Sequence, residues 1–230
     1  MVNVDYAVGD ALDFLRGQDD RAADLVLTDP PYSPRTHKGA RSLRAHDEST
    51  SRVTAGIAFD ATDPDALRAM FAEAGRVSSG WVVSFLDYAH AVALEAHPPE
   101  GLRVLRIGVW VKTNPAPQLS GDRPAQGWEA IVYMHRADTR PSWRGGGKHG
   151  NFTAPIAHGI GHPTAKPVPI LETLIDYFTP PGGVVLDPFM GSGSTLVAAQ
   201  NRGRHAAGVD INPEYVAVAE HRLRQQPLFT

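Results

Sequence analysis

The stretch Val184-Val185-Leu186-Asp187-Pro188-Phe189-Met190-Gly191-Ser192-Gly193-Ser194-Thr195 constrains the fold more than any other. Three apolar residues read as a buried strand, and a Gly-x-Gly turn then breaks it before a helix begins at about Thr195. The unit recurs along the chain. Val2–Val8, Leu25–Leu27, Trp81–Phe85, Leu102–Lys112, Glu129–Arg136, Val184–Leu186 and His205–Val209 read as strands. Helices are predicted near Ala11–Arg16, Pro64–Arg76 with Asp63 as its N-cap, Tyr88–Ala96, Pro169–Phe178, Thr195–Asn201 and Pro213–Arg224. Seven strands alternating mostly with helices are the pattern of a doubly wound α/β sheet.

The 230 residues suit one domain spanning 1–230, large enough to bury a sizeable core. No apolar run is long enough to span a bilayer, and Asp5 and Asp10 interrupt any signal-peptide pattern. With no cysteine, disulfides and thiolate metal sites are excluded, and a cytoplasmic location is expected. The histidines show no ligand spacing backed by paired acids, so no metal is predicted. A net charge of −3 does not advertise a nucleic-acid binder, so any DNA contact must come from local basic patches. Two irregular stretches supply them. Residues 33–59 carry Arg35, Lys38, Arg41 and Arg44, and residues 139–161 carry Arg140, Arg144 and Lys148. A structureless stretch this long is usually functional or disordered, and 139–161 is expected to be mobile.

The run Leu25-Val26-Leu27-Thr28 stops abruptly at Asp29-Pro30-Pro31-Tyr32. Ligands bind beyond the carboxyl ends of strands in an open α/β sheet, so this tetrapeptide is expected at a site mouth. Pro30 biases Asp29 away from helical backbone and leaves the carboxylate and nearby carbonyls outward as acceptors. An exocyclic amino group has two N–H donors to meet them, and Tyr32 offers a flat face to a planar ring. At the other site, the glycines let backbone approach a ligand closely at a helix N-terminus. Asp210 lies at the end of the following strand, where an acid binds ribose hydroxyls in nucleotide-binding sheets.

These motifs together resemble the amino-methylating DNA methyltransferases, whose signature at this place is Asp/Asn/Ser-Pro-Pro-Tyr. Asp187-Pro188-Phe189-x-Gly191-x-Gly193 is similar to the family's S-adenosylmethionine motif, with Ser194 and Thr195 opening the helix. His162-Pro-Thr-Ala-Lys166-Pro resembles the segment before it, and Gly9-Asp10 stands at the place of an acid that approaches the cofactor adenine. The tetrapeptide precedes the cofactor motif, as in the β group of these enzymes. The resemblance therefore implies a Rossmann-like, circularly permuted, seven-stranded and mostly parallel sheet, with Glu129–Arg136 antiparallel.

It also implies the chemistry. Asp29 and the Pro30 carbonyl would bind the amino group of a base flipped from double-stranded DNA and stacked on Tyr32, with Pro31 completing the catalytic tetrapeptide. Asp29, Asp10, Lys166, Asp187, Pro188, Phe189, Gly191, Gly193, Ser194, Thr195 and Asp210 would hold S-adenosylmethionine. Phe189 reads equally well as core packing, Lys166 as an exposed charge, and Asp10 as a helix cap. Asp at position 29 favours adenine N6, with cytosine N4 the nearest alternative and RNA or protein amide methylation more distant. A non-catalytic DNA- or cofactor-binding protein on the same fold is the alternative of a different class. Target recognition falls to 139–161, helped by 33–59. Both are short for the family, which implies minimal recognition or a second subunit, as in a homodimer. No second catalytic centre is visible, so a restriction-modification role would place the nuclease on another chain. The tail 225–230, Gln225-Gln-Pro-Leu-Phe229-Thr, resembles the Gln-x-x-Leu-Phe peptide that docks bacterial DNA enzymes on the replication sliding clamp.

Overall fold

The computed structural model describes residues 2–31, 64–118, 121–157 and 165–225. Tyr32, Arg35, Lys38, Arg41, Arg44, the Asp63 cap, His162 and the tail beyond Gln225 lie outside the described residues.

The strands are β1 Val4–Val8, β2 Ala23–Thr28, β3 Ser78–Leu86, β4 Leu102–Lys112, β5 Trp128–Arg136, β6 Phe152–Ala154, β7 Val184–Asp187 and β8 His205–Asp210. The helices are α1 Ala11–Arg16, α2 Pro64–Val77, α3 Tyr88–Ala96, α4 Val168–Phe178, α5 Ser194–Asn201 and α6 Pro213–Arg224. All strands join one sheet in the order β1-β8-β7-β2-β3-β5-β4-β6. Among the described strands only β5 opposes the common direction: it is antiparallel to both β3 and β4, as expected for Glu129–Arg136. Among the described residues, no helix is long and apolar enough to cross a membrane.

Two apolar layers cover the sheet. Leu25 and Leu27 of β2 point into a core shared with α4, α5 and α6, while Val26 points into the core of α1, α2 and α3. A central strand covered on both faces must be apolar throughout, which is why Leu25-Val26-Leu27 shows no alternation. In α4 the buried residues are Ile170, Leu171, Leu174, Ile175 and Phe178, spaced three and four apart, so one stripe faces the sheet. Each such side chain contributes about 1.5–3 kcal/mol when fully buried.

The structure corrects the expectation for 139–161 and the count of seven strands. Phe152–Ala154 forms an eighth strand, parallel to the end of β4, with Trp110 paired to Phe152. The Trp110 indole donates to the Ala154 carbonyl at 3.0 Å. Upstream, the Trp81 indole donates to Ser142 O at 2.8 Å, and the Trp143 ring lies 4.9 Å from Tyr177 and 5.4 Å from Phe178. A three-residue strand is too short to announce itself by periodicity. These ring contacts dock Trp143 onto α4.

Candidate active site

Between β7 and β2 the chain changes winding direction: β7 is followed outward by β8 and β1, and β2 by β3 on the other side. The crevice beyond the carboxyl ends of two such strands is the usual ligand site of an open α/β sheet. Both sequence motifs end there. The Thr28 hydroxyl donates to Asp187 Oδ1 at 2.9 Å, joining residues 159 apart in sequence. Asp29 and Pro31 are half-buried, and Pro30 is buried.

The turn after β7 is held by the acids flanking it. The Phe189 N–H donates to Asp187 Oδ1 at 3.1 Å. Asp210, at the end of β8, accepts from the Gly191 N–H at 3.0 Å and the Asn212 N–H at 2.8 Å. Gly193 precedes α5 with φ 76°, a left-handed conformation that favours glycine. Ser194 and Thr195 open α5 and are buried, as is Pro188. Phe189 is half-buried, packed in part against the α1–α3 core. Asp10 caps α1, accepting from Leu12 and Asp13 N–H at 2.8 and 3.1 Å. It borders the crevice, since the neighbouring Gly9 N–H donates to the Asp210 carbonyl at 3.1 Å.

Lys166 is buried rather than surface-exposed. Its ammonium forms an ion pair with Asp29 and a second, at 3.3 Å, with Glu129 Oε2. Burial works against that charge, but the two carboxylates more than offset it and raise the lysine above its ordinary range. Glu129 in turn binds Lys112 Nζ at 2.6 Å. Lys166 stands 5.4 Å from the Phe85 ring centre and Lys112 stands 5.2 Å from that of Trp110. Sequence reading missed Lys112 and Glu129. Their signal was a single charge at the end of β4 and another at the start of β5, each beside an apolar run. It also missed Arg222 of α6, whose Nη1 donates to the Ser192 carbonyl at 2.6 Å and to Ser194 Oγ at 3.0 Å. Nothing in the pattern of α6 distinguishes that arginine from its basic neighbours.

The basic residues of 139–161 do not all gather at this crevice. The Arg144 N–H donates to the Tyr177 carbonyl at 3.0 Å, near the end of α4 that leads back to the start of β7. Arg140 and Arg144 therefore lie toward the amino ends of the strands, opposite Asp29. Of the basic residues expected to contact DNA, these two stand away from the crevice. Arg140, Arg144 and Lys148 are all exposed.

Asp187 is 2% exposed, and burial pushes its carboxyl up to about 7 against the lowering effect of hydrogen bonds from Thr195, Thr28 and Phe189. An acid raised in the folded state binds its proton more tightly there than in the unfolded chain. Stability therefore falls as pH rises from the ordinary carboxyl value of 3.8 toward about 7, then levels off. Within that window the slope approaches about 1.4 kcal/mol per pH unit. Chemical denaturation of Asp187→Asn between pH 4 and 8 should show this component removed; a slope identical to wild type would contradict it.

Asp29, Asp187 and Asp210 stand at the ends of three neighbouring strands, beside a glycine turn that opens a helix. That donor set fits a ligand with cationic groups and ribose hydroxyls. Comparison with known proteins agrees. The DNA methylase model N6_N4_Mtase matches residues 141–221. The chain is 27% identical to the type II methyltransferase M2.DpnII of Streptococcus pneumoniae, over 94% of this chain and 88% of that one. It is 34% identical to M2.LlaDCHI of Lactococcus lactis subsp. cremoris, over 63% of this chain and 60% of the relative. The fold matches TTHA0409 of Thermus thermophilus, solved with S-adenosyl-L-methionine, at a TM-score of 0.69 and 22% identity, covering 100% of this chain and 96% of that one. The acid at the end of β2, the glycine turn after β7 and these relatives point the same way: the chain is similar to the S-adenosylmethionine-dependent amino-methyltransferases of DNA, of the β group.

Proposed function

We propose that the chain methylates adenine N6 in double-stranded DNA, acting on a base flipped out of the helix. The observation that supports this reading is the Thr28–Asp187 hydrogen bond, which joins the end of β2, next to the acid read as the amino-group acceptor, to the turn read as the cofactor's. Asp187, Pro188, Phe189, Gly191, Gly193, Ser194, Thr195, Asp210 and Asp10 would hold the cofactor. Bound there, S-adenosylmethionine supplies an electrophilic methyl group on a cationic sulfur. The adenine amino nitrogen is a poor nucleophile because its lone pair is delocalised into the ring. Asp29 and the Pro30 carbonyl accept its N–H groups, which helps localise that pair and fixes the line of approach. Asp29, or a water beyond it, takes the proton released. Tyr32 would offer its ring for the flipped base to stack on.

Phosphate contacts from Arg35, Lys38, Arg41, Arg44 and Lys148 would give affinity that falls steeply with salt. A single domain acting in the cytoplasm, alone or as a homodimer, completes the reading. The tail Gln225–Phe229 is assigned to a sliding clamp on its sequence pattern. Deleting residues 226–230 should abolish clamp capture and spare methylation of free DNA; unchanged capture would refute the assignment.

The substrate class is tested by offering methyl-labelled cofactor with duplex DNA, RNA and protein in parallel. Label is expected on DNA. Labelling confined to RNA or protein would overturn the reading, as would cofactor binding with no transfer to any of the three.

A further inference from the structure

We infer that Lys166 is a positioning residue for Asp29 rather than a ligand of the cofactor, and that Glu129 on the antiparallel strand sets it in place. The inference rests on the reading of Asp29 as the amino-group acceptor. Its basis is a row of alternating charges, Lys112, Glu129, Lys166 and Asp29, carried by β4, β5, the segment before α4 and the end of β2. The middle of that row is enclosed: the Lys166 side chain is 5% exposed and that of Glu129 is 13%.

An ammonium removed from water must be matched by carboxylates, and Lys166 meets two of them. Its charge is committed within the protein. The Asp29 side chain, by contrast, can rotate about two bonds, and an acceptor aimed at an amino group works only in a narrow range of directions. Holding one Asp29 oxygen on Lys166 removes that freedom. Glu129 serves the same end one step back, because it fixes the lysine between two acids instead of leaving it to follow one. Lys112, at 2.6 Å from Glu129 Oε1, stops Glu129 from turning outward. The Phe85 and Trp110 rings, 6.4 Å apart and perpendicular, sit beneath the two ammonium groups. Strand β5 thus supplies more than sheet pairing: running against its neighbours, it brings its first residues, not its last, to the catalytic end.

The test compares Lys166→Met and Glu129→Gln with wild type, measuring cofactor Kd by calorimetry and kcat on duplex DNA at saturating cofactor. A misplaced reacting group can cost about 100-fold in rate. Lys166→Met is expected to lose about 100-fold in kcat and Glu129→Gln about tenfold, with cofactor Kd within about threefold of wild type in both. Combining the two should cost little beyond Lys166→Met alone, because both act through Asp29. Glu129→Gln preserves shape and guards against a folding defect in the methionine variant. A rise in cofactor Kd of more than about tenfold in Lys166→Met, with kcat retained, would make the lysine a cofactor ligand and overturn the inference. So would wild-type kcat in Glu129→Gln. If Asp29→Ala stays active, the underlying reading fails; if Asp29→Ala is inactive while both variants work normally, only this inference does.

Discussion

Asp29→Ala should lower the rate of methyl transfer by about 10²–10⁴-fold, the usual range for removing a positioned acid–base or hydrogen-bonding group. Cofactor binding should survive. The glycine turn is held by Asp187 and Asp210, neither of which depends on Asp29 for its partners. Nor should the fold collapse, since Lys166 keeps Glu129 as a counter-ion. The combination of a silent enzyme and an intact cofactor site separates a chemical role for Asp29 from a structural one. Calorimetry and a labelled-methyl assay on the same preparation measure both.

The second large effect is expected at Gly193. Its φ of 76° already disfavours a side chain, and a Cβ there would lie 2.7 Å from Ala219 Cβ and 3.3 Å from Ala219 Cα on α6. Backbone strain and overpacking each cost about 1–3 kcal/mol, so Gly193→Ala should destabilise the protein by roughly 2–4 kcal/mol. It should also weaken cofactor binding by at least about tenfold, because relief of the clash shifts either the turn or α6. Gly203 provides the control. Its φ is 69°, yet nothing lies within 4 Å of a Cβ built there. Gly203→Ala should therefore cost only the conformational part, about 1 kcal/mol, and leave cofactor affinity unchanged. Equal losses in the two variants would show that the contact with α6 carries none of the effect.

The parts of this molecule that were legible in sequence share a physical cause. Central strands such as Leu25–Leu27 and Val184–Leu186 are covered on both faces, so their continuous apolar runs stand out, and the acids, glycines and prolines that end them mark the site edge. Even the reversed direction of β5 followed from resemblance in motif order, although nothing in Glu129–Arg136 itself encodes direction. What stayed hidden depends on tertiary contact. Strand β6 exists because the β4 edge offers partners to three residues that have no periodicity of their own. Glu129 and Lys112 became visible only when β4 and β5 brought them within reach of Lys166. The same holds for Arg140 and Arg144, whose charge was plain but whose distance from Asp29 is set by the docking of Trp143 on α4.

The most direct test of the central claim identifies the product. Unmethylated genomic DNA would be incubated with the protein and methyl-labelled S-adenosylmethionine, digested to nucleosides and separated, with Asp29→Ala alongside. Label is expected in N6-methyladenine with wild type and none with the variant. Label in N4-methylcytosine would contradict the base assignment while keeping the chemistry, and equal labelling by Asp29→Ala would contradict the site itself.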